Sequence, residues 1–437
     1  MNGNKIEILS PAGSFAALHA ALYAGADAVY FGVGNLNMRA GGAVNFTVDD
    51  LPEIVRLCHE SGAKAYLAVN TIIYNHELDE LYTLCDTAKA AGVDACIAGD
   101  MAVISYLRQI GMPVHLTVQC NISNIPAVRF YAQFADVMVL ARELTLEEIA
   151  QISAAIRQEK ICGPSGNPVR IEVFAHGALC IALSGRCGMS LCAYNRSANR
   201  GVCLQNCRRR YRVTDVETGF ELELDHQYVM SPRDLCTVEV LDQILDAGAT
   251  VLKIEGRGRP ADYVSTVTKV YHEAVAAWLN GTFCKELAED WRKKLETVFN
   301  RGFWTGGYYL GMQTGVWSKC GGSQATVQKI YLGKITNFYA KISVAELKIE
   351  TANSIRPGDK VLVTGHTTGA LEVDLKELRL DAGPVPAAVQ GDVVAFAVPE
   401  RVRVTDKVYL LKNKETDEEN ESKAETPGTE AETHFCG

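Results

Sequence analysis

The order of apolar segments predicts a TIM-like (β/α)8 barrel followed by a small C-terminal all-β barrel domain. Three observations carry this. Over the first 280 residues eight short apolar runs alternate with amphipathic stretches. The alternation is interrupted once, after the seventh run, by about 75 residues that hold a cysteine-rich segment. From Val327 the pattern changes to short alternating, β-branched runs with turn signals between them.

The strand candidates are Ile6–Ser10, Ala28–Val33, Ala65–Asn70, Ala95–Ala98, Val114–Gln119, Val137–Ala141, Ile171–Ala175 and Val251–Glu255. Between them the spacing predicts helices over Phe15–Ala24, Val48–Glu60, Leu78–Ala91, Met101–Ile110, Pro126–Phe134 and Leu146–Arg157, with a further one, Asp262–Leu279, after the last strand. A doubly wound open sheet is the competing arrangement; a repeat count of eight, which closes a ring, favours the barrel. The expected units are the barrel over 1–300 with a cysteine-bearing loop over 178–230, a connector over 301–326, the β-domain over 327–411, and a disordered acidic tail over 412–437. Turn signals in the β-domain are Arg356-Pro357-Gly358-Asp359 and Gln390-Gly391-Asp392.

Hydrophobic content of 48% and charged content of 22% describe a globular chain. No apolar run approaches the roughly 20 residues that span a bilayer. The polar start, Met1–Lys5, leads straight into a strand rather than a signal peptide. The expectation is a cytoplasmic protein with no membrane partner. The net charge of −9 owes much to the tail, where eight acids follow Asn413 against two lysines, so local patches decide more than the total.

In a reducing compartment, 14 cysteines point to metal or redox chemistry rather than a disulfide framework. Five of them fall between Cys180 and Cys207, just past the seventh strand, where barrel enzymes build their sites. Cys180, Cys187, Cys203 and Cys207 form the candidate ligand set. One tight pair plus two ligands on a long loop suits a cubane cluster better than the paired short knuckles of zinc sites. Zinc and plain buried thiols are the alternatives, with Cys192 and Cys236 as substitute ligands and Cys120 also expected near the barrel mouth. Arg186 and Arg208–Arg210 flank the set and favour thiolate. Isolated cysteines such as Cys58, Cys85 and Cys96 read as packing.

Glu172 and His176 stand four apart on the seventh strand, and strand periodicity puts both on one face, as a substrate-binding or proton-handling pair. Glu255 and Arg257 lie over the mouth at the end of the eighth strand. Arg208, Arg209, Arg210 and Tyr211 offer phosphate contacts beside an aromatic, the makings of an RNA contact. The chain contains neither a His-Glu-x-x-His helix nor a Gly-x-Ser-x-Gly elbow; the nearest proteolytic arrangement is His176 with Ser184 or Cys180 as nucleophile.

The segments Glu172-Val-Phe-Ala-His-Gly-Ala-Leu-Cys180 and Ser184-Gly-Arg-Cys187-Gly-Met-Ser190 resemble the signature of the collagenase-like peptidase family U32. Ser10-Pro-Ala-Gly13, Ala26–Gly32, Asn45-Phe46, Ser231–Leu235 and Lys253–Arg257 resemble further blocks of that family, so the resemblance covers most of the chain. It implies a four-iron four-sulfur (4Fe–4S) cluster on Cys180, Cys187, Cys203 and Cys207. It also implies oxygen-independent hydroxylation. Asn199–Cys203 running into Cys207-Arg-Arg-Arg-Tyr211, together with the β-domain, looks most like the branch that forms 5-hydroxyuridine at the tRNA wobble position. Prephenate as a small carboxylate co-substrate and an electron-donor protein follow from the same resemblance. Arg39, Arg142, Arg186 and Arg257, near strand ends or on the cysteine loop, suit such an anion. A collagenase-like peptidase and a non-catalytic, cluster-bearing scaffold are the alternative functions.

Overall fold

The computed structural model describes residues 5–41, 46–182, 186–212, 214–219, 228, 230–311 and 317–414. Eight strands form a parallel barrel: β1 (Glu7–Pro11), β2 (Ala28–Phe31), β3 (Lys64–Val69), β4 (Ala95–Ala98), β5 (Val114–Leu116), β6 (Val137–Val139), β7 (Arg170–Gly177) and β9 (Val251–Ile254). Consecutive strands pair in order, β9 returns to β1, and the β7–β9 ladder closes the ring. Each of the eight predicted runs is a barrel strand, because buried parallel strands carry their signal as short continuous apolar segments.

The wall helices are α1 (Phe15–Tyr23), α2 (Leu51–Glu60), α3 (Leu78–Ala90), α4 (Met101–Gln109), α5 (Ile125–Tyr131) and α6 (Leu146–Gln158). Local chemistry starts them: Ser14, Asp100 and Asn124 each accept a first-turn amide, and Thr145 with Glu148 closes a capping box. Side chains from alternate strand positions, among them Leu9, Tyr30, Tyr66, Ile97 and Val251, pack as a cluster of their own inside the ring. Their neighbours, such as Ile8, Val29, Phe31 and Leu67, belong to the larger cluster under the helices.

The long insertion carries α7 (Met189–Tyr194) and then β8 (Asp234–Cys236), which runs antiparallel to the far end of β7. After α8 (Leu241–Asp246), β9, α9 (Ala261–Leu279) and α10 (Lys285–Glu296), the first residues of the expected connector form β10 (Phe303–Thr305), parallel to β8. Two strands outside the ring thus extend the β7 edge beside the mouth.

The C-terminal domain is one eight-stranded sheet in the order β14-β13-β18-β11-β12-β17-β15-β16, antiparallel throughout and built around its own core. Its strands are β11 (Val327–Tyr339), β12 (Val344–Ile349), β13 (Lys360–Gly365), β14 (Gly369–Asp374), β15 (Leu378–Leu380), β16 (Gly383–Val385), β17 (Val393–Ala397) and β18 (Lys407–Asn413). Both predicted turns form: Asp359 accepts from the Arg356 amide at 2.9 Å and Asp392 from the Val389 amide at 2.8 Å. The domain docks on α1 and α9. Phe15 stacks on His366 at 4.5 Å, Lys329 pairs with Asp262 at 2.8 Å, and Gly369 brings its backbone against Ala20 where a Cβ would collide. The expected acidic tail lies, beyond Lys414, outside the described residues.

Candidate functional site

The carboxyl ends of the barrel strands and the cysteine loop enclose a cavity of about 130 Å³. A buried water needs about 10–15 Å³ by the same measure, so the space suits a small molecule. Cys180, Cys187, Cys203 and Cys207 all line it, together with Arg39, Arg142, Lys253, Glu255 and Arg257. Cys180 follows the end of β7, Cys187 precedes the cap of α7, and Cys203 leads into a short turn, Asn206–Arg208, that contains Cys207. Gly201 lets this loop meet the one after β2: at φ +81° its carbonyl accepts the Gly41 amide at 3.0 Å, and a Cβ there would strike the Asn37 carbonyl.

Burial pushes the Cys207 thiol up; Arg208 opposes this, and Cys180, Cys203 and Cys187 reinforce it. The four thiols therefore share one electrostatic neighbourhood. Among the described residues, no three His, Cys, Asp or Glu side chains stand close enough to clasp a single metal ion. The substitutes fall elsewhere. Cys192 is exposed, and Cys236 is fully buried on β8, where burial raises it to about 12; neither lines the cavity. Cys120 sits beside the mouth, raised to about 11 by burial, and Arg186 donates to the Gln119 carbonyl at 2.9 Å.

Glu255 is the electrostatic pivot of the opposite wall. Arg39 pairs with its Oε1 at 2.7 Å, and the Tyr30 hydroxyl donates to the Ile254 carbonyl at 3.0 Å and to Oε2 at 3.2 Å. Burial alone would raise its pKa, but Arg39, then Arg257 and Arg142, bring it down to about 2. Glu255 is thus a fixed anion rather than a general acid. Arg257, buried, donates to Asn37 Oδ1 at 3.1 Å. Arg142 sits over the Phe174 ring, its Cζ 3.8 Å from the ring centroid; its Nε has no hydrogen-bond partner, and it makes no ion pair among the described residues.

The expected Glu172–His176 pair does not assemble. Glu172 points into the barrel and pairs with Lys253 Nζ at 2.8 Å. The β7–β9 register slips between Phe174 and His176, so the extra residue reverses the alternation and turns His176 out of the ring. Its ring packs among Tyr263, Tyr271 and Phe303, its Nδ1 is unpartnered, and burial drives its pKa to about 3. It is a neutral packing residue away from the cavity. Ser184 lies outside the described residues.

The run of three arginines and a tyrosine, Arg208–Tyr211, divides. Arg208 is spent inside the protein, donating to the Leu179 carbonyl at 2.6 Å, to Ser231 Oγ at 3.0 Å and to the Pro232 carbonyl. Tyr211 donates its hydroxyl to the Asn206 carbonyl at 2.8 Å. Arg209 and Arg210 are exposed, and Arg209 reaches the exposed Tyr194, whose hydroxyl it meets at 2.6 Å. Lys253 is the site residue that sequence reasoning passed over. Its signal was present: Lys253, Glu255 and Arg257 alternate charge at period two through an otherwise apolar run.

The family model for peptidase family U32 matches residues 13–319. The chain belongs to peptidase family U32. Its relatives carry two kinds of name. A collagenase of Porphyromonas gingivalis is 48% identical over 95% of this chain and 100% of the relative. A tRNA hydroxylation protein, P1, of Bacillus subtilis is 34% identical over 69% of this chain and 71% of the relative. A 23S rRNA 5-hydroxycytidine synthase of Escherichia coli is 34% identical over 63% of this chain and 40% of its own length. Identity is thus higher to a U32 member named for collagen than to those named for RNA. Among the described residues no helix is long and apolar enough to cross a membrane.

Proposed function

We propose that this U32 protein is a cytoplasmic iron–sulfur enzyme that hydroxylates RNA without oxygen, with the tRNA wobble uridine as substrate and 5-hydroxyuridine as product. The observation that carries the reading is the convergence of four thiols and an excess of cationic side chains on one cavity at the barrel mouth. Arg39, Arg142, Lys253 and Arg257 face Glu255 and, beneath it, Glu172.

A 4Fe–4S cluster fits this donor set. Each iron of a cubane takes its own thiolate, and four cysteines line this one cavity. Cys180, Cys187, Cys203 and Cys207 would hold it, and Arg39 and Arg208 offset its charge. When bound, the cluster supplies electron-transfer or Lewis-acid chemistry that side chains lack. The protein's own residues bind and orient: Arg142 and Arg257 take the carboxylates of a small metabolite such as prephenate, and Glu255 fixes Arg39 for the same purpose. Arg209 and Arg210, with Tyr194, offer an exposed basic and aromatic edge to RNA. An electron-donor protein is the remaining partner.

The collagenase-named relative at 48% identity favours a second reading, peptide hydrolysis. Against it stands the position of His176, caged by aromatics and held neutral away from the cavity. Protein purified without oxygen is expected to hold about four irons and a broad absorption band near ~400 nm, both lost in a Cys203→Ala/Cys207→Ala variant. A deletion strain is expected to lose the hydroxylated wobble uridine. An iron-free protein or unchanged tRNA overturns the proposal, and collagen cleavage by the metal-free protein installs the second reading. Purified enzyme that hydroxylates tRNA separates catalysis from a scaffold role.

A further inference from the structure

The floor of the cavity carries a group that the hydroxylation reading leaves without a chemical task. Lys253 is 5% exposed, lines the cavity, and sits against the rings of Tyr30 at 4.7 Å and Phe174 at 5.7 Å. Its Nζ is 2.8 Å from Oε1 of Glu172, a carboxylate with no exposure whose Oε2 has no hydrogen-bond partner. A buried pair of this kind is a poor source of stability, because desolvating two charges offsets most of their attraction. Well-packed apolar residues would serve the barrel as well.

A lysine held 2.8 Å from a buried carboxylate and opening on an enclosed cavity has a proton acceptor already in place, the pairing of nucleophile and base. Burial raises the carboxyl of Glu172, against the pull of Lys253, so it exchanges a proton with the amine more readily than an exposed acid; Glu7 and Arg170 are the other charged groups that act on it. Against the same Phe174 ring and lining the same cavity, Arg142 presents a guanidinium without an ion-pair partner among the described residues, the complement of a carboxylate.

We propose that Lys253 captures the carbonyl carbon of a small 2-oxo carboxylate as an imine, with Arg142 holding the carboxylate and Glu172 moving the protons. The inference rests on the reading of the cavity as the site of a carboxylate metabolite and adds that the metabolite is held covalently, through a 2-oxo group, and by which residue. The ammonium of Lys253 passes one proton to Glu172, and the freed lone pair forms a bond to the carbonyl carbon as the C=O π pair moves to oxygen. Glu172 returns that proton to the oxygen, and a second proton leaves nitrogen for the same oxygen, which departs as water. The product is a protonated imine that keeps the positive charge of the original ammonium. Nothing is oxidised or reduced.

The test uses the full chain with phenylpyruvate and sodium cyanoborohydride, followed by intact mass and peptide mapping. The expected result is one reduced adduct per chain, on Lys253, absent from Lys253→Arg. That variant keeps a cation opposite Glu172, and its unfolding curve verifies that it folds. Glu172→Gln is expected to slow labelling at least tenfold, and Arg142→Met to raise the half-saturating phenylpyruvate concentration at least tenfold. An unlabelled protein, or label scattered over exposed lysines and unchanged in Lys253→Arg, overturns the proposal. Calorimetry without reductant separates the two readings. Binding without an adduct removes the imine and leaves the carboxylate site, whereas neither binding nor adduct removes both. An adduct in a protein that leaves tRNA unmodified keeps the imine and removes the RNA substrate.

Discussion

Replacing Arg142 with Met tests whether the cavity is built for an anion, because the structure predicts a large loss of binding with little change in stability. The guanidinium stacks on Phe174 at 3.8 Å, a contact worth about 0.5–2 kcal/mol. Against this, its Nε is buried with no partner, which costs about 1–3 kcal/mol. Met keeps most of the stem's packing on the ring. The two effects offset, so unfolding in urea is expected to move by no more than about 1 kcal/mol in either direction. A bound carboxylate, by contrast, loses its charged partner. Removing one member of a desolvated pair costs about 2–5 kcal/mol, which weakens binding roughly 30-fold to a few thousand-fold. Calorimetric titration with phenylpyruvate or prephenate reads the second number and a urea curve the first. A loss of 3 kcal/mol or more in stability with unchanged affinity would show Arg142 to be a structural brace and refute the argument.

Lys253→Met alone strands the buried Glu172 and is expected to lower stability by about 3–5 kcal/mol, while Lys253→Met/Glu172→Leu regains most of it; equal losses in both variants would show that packing, not charge, sets the cost. His176 is neutral in the folded protein down to about pH 3, whereas its unfolded form takes up a proton below about 6.5. Its contribution is therefore complete above pH 6.5 and lost as pH falls toward 3. His176→Phe should reduce the pH slope of stability by about 1.4 kcal/mol per unit between those limits, with RNA modification intact; an unchanged slope, or lost modification, contradicts the caged neutral ring. Arg209→Ala/Arg210→Ala should weaken tRNA binding and reduce the salt slope by up to about 1.4, at about 0.7 per contact on a single strand, while Arg208→Ala should instead destabilise the loop. Salt-dependent filter binding and urea curves distinguish the two classes.

The barrel was legible because each of its strands is buried on both faces and advertises itself as an apolar run, and the insertion was legible as a gap in that rhythm. β8 and β10 were not, since three residues such as Asp234–Cys236 become a strand only by pairing with the prolonged end of β7. His176 was misplaced for a related reason. Period-two alternation holds through Arg170, Glu172 and Phe174 and fails at Ala175, where a bulge forms without a Gly or Pro to announce it. The arginine run shows a third limit. Arg208, Arg209 and Arg210 are identical in sequence terms, and only the acceptors at Leu179, Ser231 and Pro232, supplied from elsewhere in the loop and from the approach to β8, decide which one is consumed. Cys180, Cys187, Cys203 and Cys207 line one cavity because the loop that carries them starts where β7 ends, at the barrel mouth.

If the cysteine loop takes the proposed cluster, the loop is either assembled by it or built beforehand to receive it, and the hydrogen bonds here favour the second. Ser190 Oγ accepts the Leu204 amide at 3.0 Å, Asn206 Nδ2 donates to the Met189 carbonyl at 3.3 Å, and Tyr211 closes back onto Asn206. Arg208 ties the segment before Cys180 to the segment leading into β8. These contacts cross-link all three stretches that bear the four cysteines, and none of them uses a cysteine sulfur. Small domains folded by their metal owe it about 10–16 kcal/mol and come apart without it. In this protein, changing all four cysteines to serine should cost no more than about 2 kcal/mol, since each loses only a weakly bonding sulfur. Trypsin measures the outcome, because Arg186, Arg196, Arg200 and Arg208–Arg210 offer cleavage sites throughout the loop. Slow cleavage in the serine variant, within a few-fold of the parent protein, is the expected result. Cleavage accelerated a hundredfold at these arginines, with the barrel intact, would mean that the metal assembles the loop.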